Sequence, residues 1–255
     1  MMNKNLEKVQ DYFDNNSELW HNLYSKPTKV NHDIMIERSK IAFSFLKKYL
    51  NQNSMVLEIG CGAGLFGLKI LENNHKYSGI DISNVMIERC KMLFRYEDIN
   101  KDRYNLINGD ILNLELNKRY DCIVALGVIE YQRDDELLIK KFDELLNPGG
   151  ILIFSGPQKT RLFNLFGLGY LISLMLSNKK FDVYNRYSLR SCKKLLLNSK
   201  INILDFKRIG YTNSVIHKLF GYNISLRIHN FFNWFSSFFP IDWAAHHIII
   251  LGKKI

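Results

Sequence analysis

The residues best suited to chemistry begin at VLEIGCGAG, positions 56–64 of the 255-residue chain. An apolar run ends at Gly60, and glycines at 60, 62 and 64 let the backbone turn sharply and approach a ligand without intervening side chains. Peptide N–H groups and the N-terminus of the next helix would then face that ligand. Glu58 is a carboxylate within the apolar run, so it faces the ligand site or orients a neighbour there. Asp81 closes the next run, GIDIS, roughly 20 residues after the glycines, where a carboxylate can accept both hydroxyls of a ribose. A literal GxGxxG is also present as Gly62, Gly64 and Gly67, which brings a nicotinamide dehydrogenase into consideration. In that fingerprint the first glycine ends the strand. Gly60 already does so here, and the match falls one turn late.

A second cluster ends a later apolar run. In GVIEYQ, Glu130 and Tyr131 are candidates for acid–base work, and Glu130 serves either as a base or as a cap on the following helix. The seven histidines show no metal-ligand spacing with a carboxylate. His246 and His247 open a run, so one should point inward, as a core or surface histidine. Cys61, Cys90, Cys122 and Cys192 lie far apart, outside any CxxC or Cys/His spacing. They read as buried thiols of a reducing compartment rather than disulfides or a zinc site, and no metal is expected.

The elements that position these groups follow from periodicity. Residues 1–50 read as helical, with apolar residues three and four apart through HDIMIERSKIAFSFLKKYL. From Met55 short apolar runs at 55–60, 77–82, 104–109, 120–126 and 151–156 alternate with the amphipathic stretches LFGLKILEN, SNVMIERCKMLFRYE and DDELLIKKFDELL. That alternation predicts an α/β domain, a parallel sheet with helices on both faces. NPGG at 147–150 reads as a tight turn into the fifth run. A helix at 188–199 and strands at 201–209 and 246–254 resume the rhythm, interrupted by apolar insertions at 161–177 and 215–243. No repeat or linker divides the chain. The composition, 47% hydrophobic and 24% charged, is globular rather than disordered. The N-terminus is charged from its fourth residue, so no secretory signal is expected, and a cytoplasmic location is. A formal charge of +10 favours an anionic partner (nucleic acid, a phosphorylated substrate or an acidic membrane) or is simply a basic solvated surface.

Taken together, VLEIGCGAG, GIDIS, NGDILNL, YDCIVALGVIEY and LLNPGGILIFSGP, in this order over residues 55–157, resemble the successive motifs of class I S-adenosylmethionine-dependent methyltransferases. The resemblance implies a Rossmann-like sheet with helices on both faces, an N-terminal helical lid, and helical insertions after strands five and six. It divides a single domain, 1–255, into a lid (1–50), a cofactor-binding core (55–157) and a substrate-side half (158–255). It implies S-adenosylmethionine as cofactor. Glu58, Gly60, Cys61 and Gly62 would lie about its methionine part, Asp81 on the ribose, Ile82 and Met86 along the adenine, Asp110 and Ile111 at the adenine edge, and Leu126 and Gly127 near the sulfonium. Residues 9–25 and the NHDIMIERS that follows resemble the start of magnesium-protoporphyrin and quinone-type O-methyltransferases, implying that Tyr12, Phe13, Trp20, Tyr24 and Arg38 close the site. Core packing of a helix is the other reading of those aromatics.

The expected reaction is O-methylation of a hydrophobic or biosynthetic small molecule. Basic residues flank the insertions, which fits a lipid-like acceptor or a peripheral membrane contact, while a helical cap or a dimer contact would also account for them. A nucleic-acid methyltransferase is the alternative, prompted by charge. The chain lacks the Asn/Asp-Pro-Pro-aromatic sequence of base amino-methylation after its fourth strand. A binding protein without turnover and a dehydrogenase rank below these.

Overall fold

The computed structural model describes residues 4–18, 30–159, 183–211, 214–236, 238–239 and 245–255. Two helices, α1 (Lys4–Asn15) and α2 (Val30–Tyr49), precede β1 (Met55–Ile59). There follow α3 (Leu65–Glu72), β2 (Lys76–Asp81), α4 (Asn84–Tyr96), β3 (Tyr104–Asn108), β4 (Tyr120–Leu126), α5 (Asp135–Leu145) and β5 (Leu146–Pro157). The chain continues through α6 (Leu189–Leu196), β6 (Ile201–Ile209), α7 (Ser214–Phe235) and β7 (His247–Lys254).

Seven strands form one sheet in the order β3-β2-β1-β4-β5-β7-β6. The first five pair in parallel, while β7 runs antiparallel to both β5 and β6. Alternate residues of the central strands serve two cores. Val56, Cys122, Val124, Ile249 and Leu251 pack with Phe45, Ile70 and Phe94 of α2, α3 and α4 on one face. Leu57, Ile123, Phe154, Ile248 and Ile250 pack with Leu138, Phe142 and Leu196 of α5 and α6 on the other. Burial on both faces is why these strands read as continuous apolar runs.

Side-chain caps set the helix starts. Ser83 accepts from Met86 N–H, Asp134 from Leu137 N–H, and Ser188 forms a reciprocal capping box with Ser191. Strand order reverses at β1, whose neighbours are β2 and β4, so a crevice opens beyond the carboxyl ends of β1 and β4.

One expectation needs correction. NPGG is not a turn ahead of the fifth strand but an irregularity inside it. Tyr120 pairs with Leu146 and Cys122 with Ile151, so the extra residues bulge out at Gly149, whose φ is +77°. The five runs at 55–157 do form the expected parallel strands, and the final strand, for which no direction was expected, joins them antiparallel. HHIIILGKK is buried on both faces in either direction, so its apolar pattern carries no information on strand polarity. The insertion at 161–177 lies outside the described residues. Within 215–243 the chain forms α7, broken at Gly221 (φ +77°, ψ 174°).

Candidate active site

Beyond the carboxyl ends of β1 and β4 lies a cavity of about 240 Å³. Its floor is the glycine turn. Gly60 and Cys61 both donate their N–H to Ile80 O, at 2.7 and 3.1 Å, which bends the chain off β1 toward β2. Gly60 (φ +71°) and Gly62 (φ +53°) occupy the left-handed region, where a side chain is strained. Gly67 lies within α3 and not in the turn. A Cβ there would come within 2.4 Å of the Tyr77 ring, so this glycine lets helix and strand pack closely. The third glycine of the apparent GxGxxG is thus accounted for by packing.

Asp81 ties the turn to the next element. Its Oδ2 accepts from Gly62 N–H at 2.8 Å and its Oδ1 from Ser83 N–H at 2.9 Å. Burial raises its carboxyl to about 6, against the lowering effect of those two hydrogen bonds; the Asp14 carboxylate adds to the rise. Ser83 donates its hydroxyl to Asp14, which fastens α1 over the cleft. Leu6, Val9 and Phe13 of that helix form a cavity wall.

Glu58 lies below the turn, 4% exposed, and accepts a 2.6 Å hydrogen bond from Tyr77 Oη. Burial pushes its carboxyl up to about 8, with the Tyr77 bond opposing and nearby Asp81 reinforcing the rise. The same burial and the adjacent Glu58 drive the Tyr77 phenol well above its ordinary range.

At the end of β4, Gly127 (φ +77°) donates its N–H to Ser155 Oγ at 3.1 Å. Arg38 reaches across from α2: a Cβ on Gly127 would stand 2.8 Å from its Nη1. Glu130 is buried and is not a helix cap, since Asp134 occupies that position on α5. Its Oε2 has no hydrogen-bond partner. Burial raises this carboxyl to about 7, opposed by its own backbone N–H and by Arg38. Burial and Glu130 likewise raise the Tyr131 phenol.

All eleven residues expected about the cofactor line this one cavity: Glu58, Gly60, Cys61, Gly62, Asp81, Ile82, Met86, Asp110, Ile111, Leu126 and Gly127. So do Glu130, Tyr131, Phe13 and Arg38. Tyr12 is not on the wall. It stands edge-to-face behind Phe13, ring centroids 5.3 Å apart. Trp20 and Tyr24 fall outside the described residues. Asp110 holds its own loop, accepting from Leu112 N–H and Asn113 Nδ2, both at 3.1 Å, and each carboxylate oxygen retains a lone pair.

His247 was not singled out by its spacing, yet it lines the cavity with Nδ1 buried and unpartnered. Burial, reinforced by Arg38 and His246, lowers its pKa to about 3, so the ring is neutral. Its only sequence signal was its place at the opening of the last strand. Among the described lining residues Arg38 is the sole Lys or Arg. The site therefore combines an apolar wall, a glycine cradle, buried carboxyls raised toward neutrality and one cation.

Residues 57–152 match the family described as a methyltransferase domain. Malonyl-acyl-carrier-protein O-methyltransferase of Priestia megaterium is 29% identical over 157 residues, 61% of this chain and 52% of that protein. Ubiquinone biosynthesis O-methyltransferase of Rickettsia typhi is 27% identical over 143 residues, 55% of each. The chain thus spans about half the length of these curated relatives. The solved magnesium protoporphyrin IX methyltransferase of Synechocystis, with bound SAH, superposes with a TM-score of 0.67 at 16% identity, over 97% of this chain and 98% of that one. Residues 57–152 are thus similar to a methyltransferase-domain family, and the chain shares the fold of solved class I methyltransferases.

Proposed function

We propose that this protein is an enzyme that transfers the methyl group of S-adenosylmethionine to an oxygen of a hydrophobic or biosynthetic small molecule. The observation that carries the reading is the single cavity at the reversal of strand order, walled by the glycine cradle, Asp81, Asp110 and Glu130 together. We read residues 1–255 as one domain, with 1–50 covering the cofactor core of 55–157 and 158–255 facing the acceptor. The relatives named ubiquinone biosynthesis O-methyltransferase and malonyl-acyl-carrier-protein O-methyltransferase support an oxygen acceptor.

The residues present fit such a cofactor. The backbone of Gly60 and Gly62 leaves room that a Cβ would fill or strain, Asp81 offers its carboxylate to ribose hydroxyls, and Ile82, Met86 and Ile111 supply an apolar slot for a base. Asp110 has acceptor capacity for an exocyclic amine. Arg38 and Glu58 give a cation and a carboxyl for the zwitterionic end of an amino acid. S-adenosylmethionine, when bound, supplies an electrophilic methyl on a sulfonium.

What the chain must do is align the acceptor and exclude water. α1, fastened through Asp14 to Ser83, and the Phe13 ring close one side. Glu130, near neutrality with a free Oε2, is poised to take the proton of an acceptor hydroxyl, and Tyr131 beside it orients the acceptor.

The +10 charge is what favours an RNA acceptor instead. Incubation with methyl-labelled S-adenosylmethionine and cell extract separates the two. Label in the organic-soluble fraction, abolished by Asp81→Ala, supports the small-molecule reading; label confined to RNA overturns it.

A further inference from the structure

Helix α7 has its polar side turned inward. After the break at Gly221, Tyr222, Ser225, His229 and Asn233 fall three and four residues apart, on one helical face. That face meets α2. Tyr222 Oη donates to Asp33 Oδ2 at 2.9 Å and Asn233 Nδ2 to Glu37 Oε1 at 2.6 Å, while His229 Nε2 lies 3.2 Å from Glu37 Oε2. Ser225 and His229 are buried.

The opposite face is apolar and open to solvent. Ile224, Phe231 and Trp234, continued by Phe238 just past the last turn, are 48%, 54%, 60% and 65% exposed. Their rings form a ladder: Phe231 to Trp234 at 6.1 Å and Trp234 to Phe238 at 5.1 Å between centroids. Phe235 and Phe239 stack alongside at 4.6 Å. A surface helix ordinarily buries its apolar stripe and exposes its polar one. A contiguous aromatic ladder left outside marks a surface that another phase or molecule covers.

Charge identifies the occupant. From Phe206 to Ile241 the sequence contains Lys207, Arg208, Lys218 and Arg227 and no Asp or Glu. Arg227 is exposed and falls on the aromatic side of the helix. Pairing with a second copy would bring the same positive charges together on a chain that already carries +10. Anionic headgroups would instead neutralise them while the rings settle at the acyl boundary. Helix α7 is not long and apolar enough to cross a membrane, so a contact made by its outer face lies in the plane of the surface.

We propose that the outer face of α7 docks this protein on the surface of an anionic lipid bilayer. The inference rests on the stripe and its charge and stands apart from the catalytic reading. It has a consequence for the cavity: α2 holds α7 through Asp33 and Glu37 and lends Met35, Arg38 and Ser39 to the cavity wall. The docked face and the site therefore share one helix, which suits an acceptor drawn from the membrane.

The test is co-sedimentation with vesicles of phosphatidylcholine alone or mixed with phosphatidylglycerol, using the full chain. A Trp20→Phe, Trp243→Phe background leaves Trp234 as the reporter. Binding to the mixed vesicles, at least about tenfold tighter than to phosphatidylcholine and weakened by salt, with a blue shift of Trp234 emission, is the expected result. Phe231→Ser, Trp234→Ser, Phe238→Ser together should abolish binding while circular dichroism stays unchanged, since these side chains are solvent-facing. No sedimentation with the mixed vesicles overturns the proposal. Retention of binding in the triple variant overturns it too, as does a wild-type dimer by light scattering that the variant loses. Should the triple variant misfold, Trp234→Ser alone serves, with a loss of affinity of about threefold or more expected.

Discussion

Replacing Glu58 with Gln should change how the stability of this protein depends on pH. The carboxyl is buried, and its pKa stands at about 8 against an ordinary value of 4.5. Between those two values the unfolded chain has lost the proton and the native chain keeps it. Stability therefore falls as pH rises through that window, by about 1.4 kcal/mol per pH unit. The full contribution is present below 4.5 and gone above about 8, a swing on the order of 5 kcal/mol. Gln keeps an acceptor for the Tyr77 hydroxyl and cannot ionise. Urea unfolding of both proteins at intervals across the window gives the difference directly. Glu130 titrates alike in both proteins and cancels. The difference should grow in favour of the Gln variant as pH rises, then level off. Parallel curves across the whole window would refute the buried, protonated Glu58 on which the calculation depends.

Two further predictions follow from the same geometry. Glu130→Gln should lower the turnover rate by about a hundredfold and remove an inflection near pH 7, because the wild-type carboxylate gains basicity as pH passes through about 7; an unchanged pH–rate profile would exclude Glu130 as the base. Gly67→Ala should destabilise despite a helix-propensity gain of about 1 kcal/mol, since its Cβ would lie 2.4 Å from the Tyr77 ring and overpacking costs ~1–3 kcal/mol; an unchanged or raised urea midpoint would contradict the packing role.

Much of the cleft was legible because its signals are local. Gly60 and Gly62 ended an apolar run in register, and Asp81 followed at the spacing of the next strand end, so the eleven residues expected around a cofactor do surround one cavity. What was not legible depends on partners distant in sequence. Whether Glu130 caps α5 was not legible, because the cap is held by Asp134 instead. His247 reads like any strand histidine, and only the packing of β7 beside β5 brings it to the cavity. The mixed sheet was hidden because a strand buried on both faces looks the same in either direction. The apolar content of 215–243 was plain, but which side of α7 faced out depended on Asp33 and Glu37, nearly two hundred residues away.

We propose that the cleft beyond β1 and β4 holds S-adenosylmethionine, with Asp81 on its ribose. Calorimetric titration with S-adenosylhomocysteine tests this without requiring the acceptor. Saturable binding at one site, weakened about a hundredfold by Asp81→Ala through loss of charge-assisted hydrogen bonds, and no heat with NAD, is the predicted result. Binding of NAD in place of S-adenosylhomocysteine, or an affinity indifferent to Asp81→Ala, would contradict it.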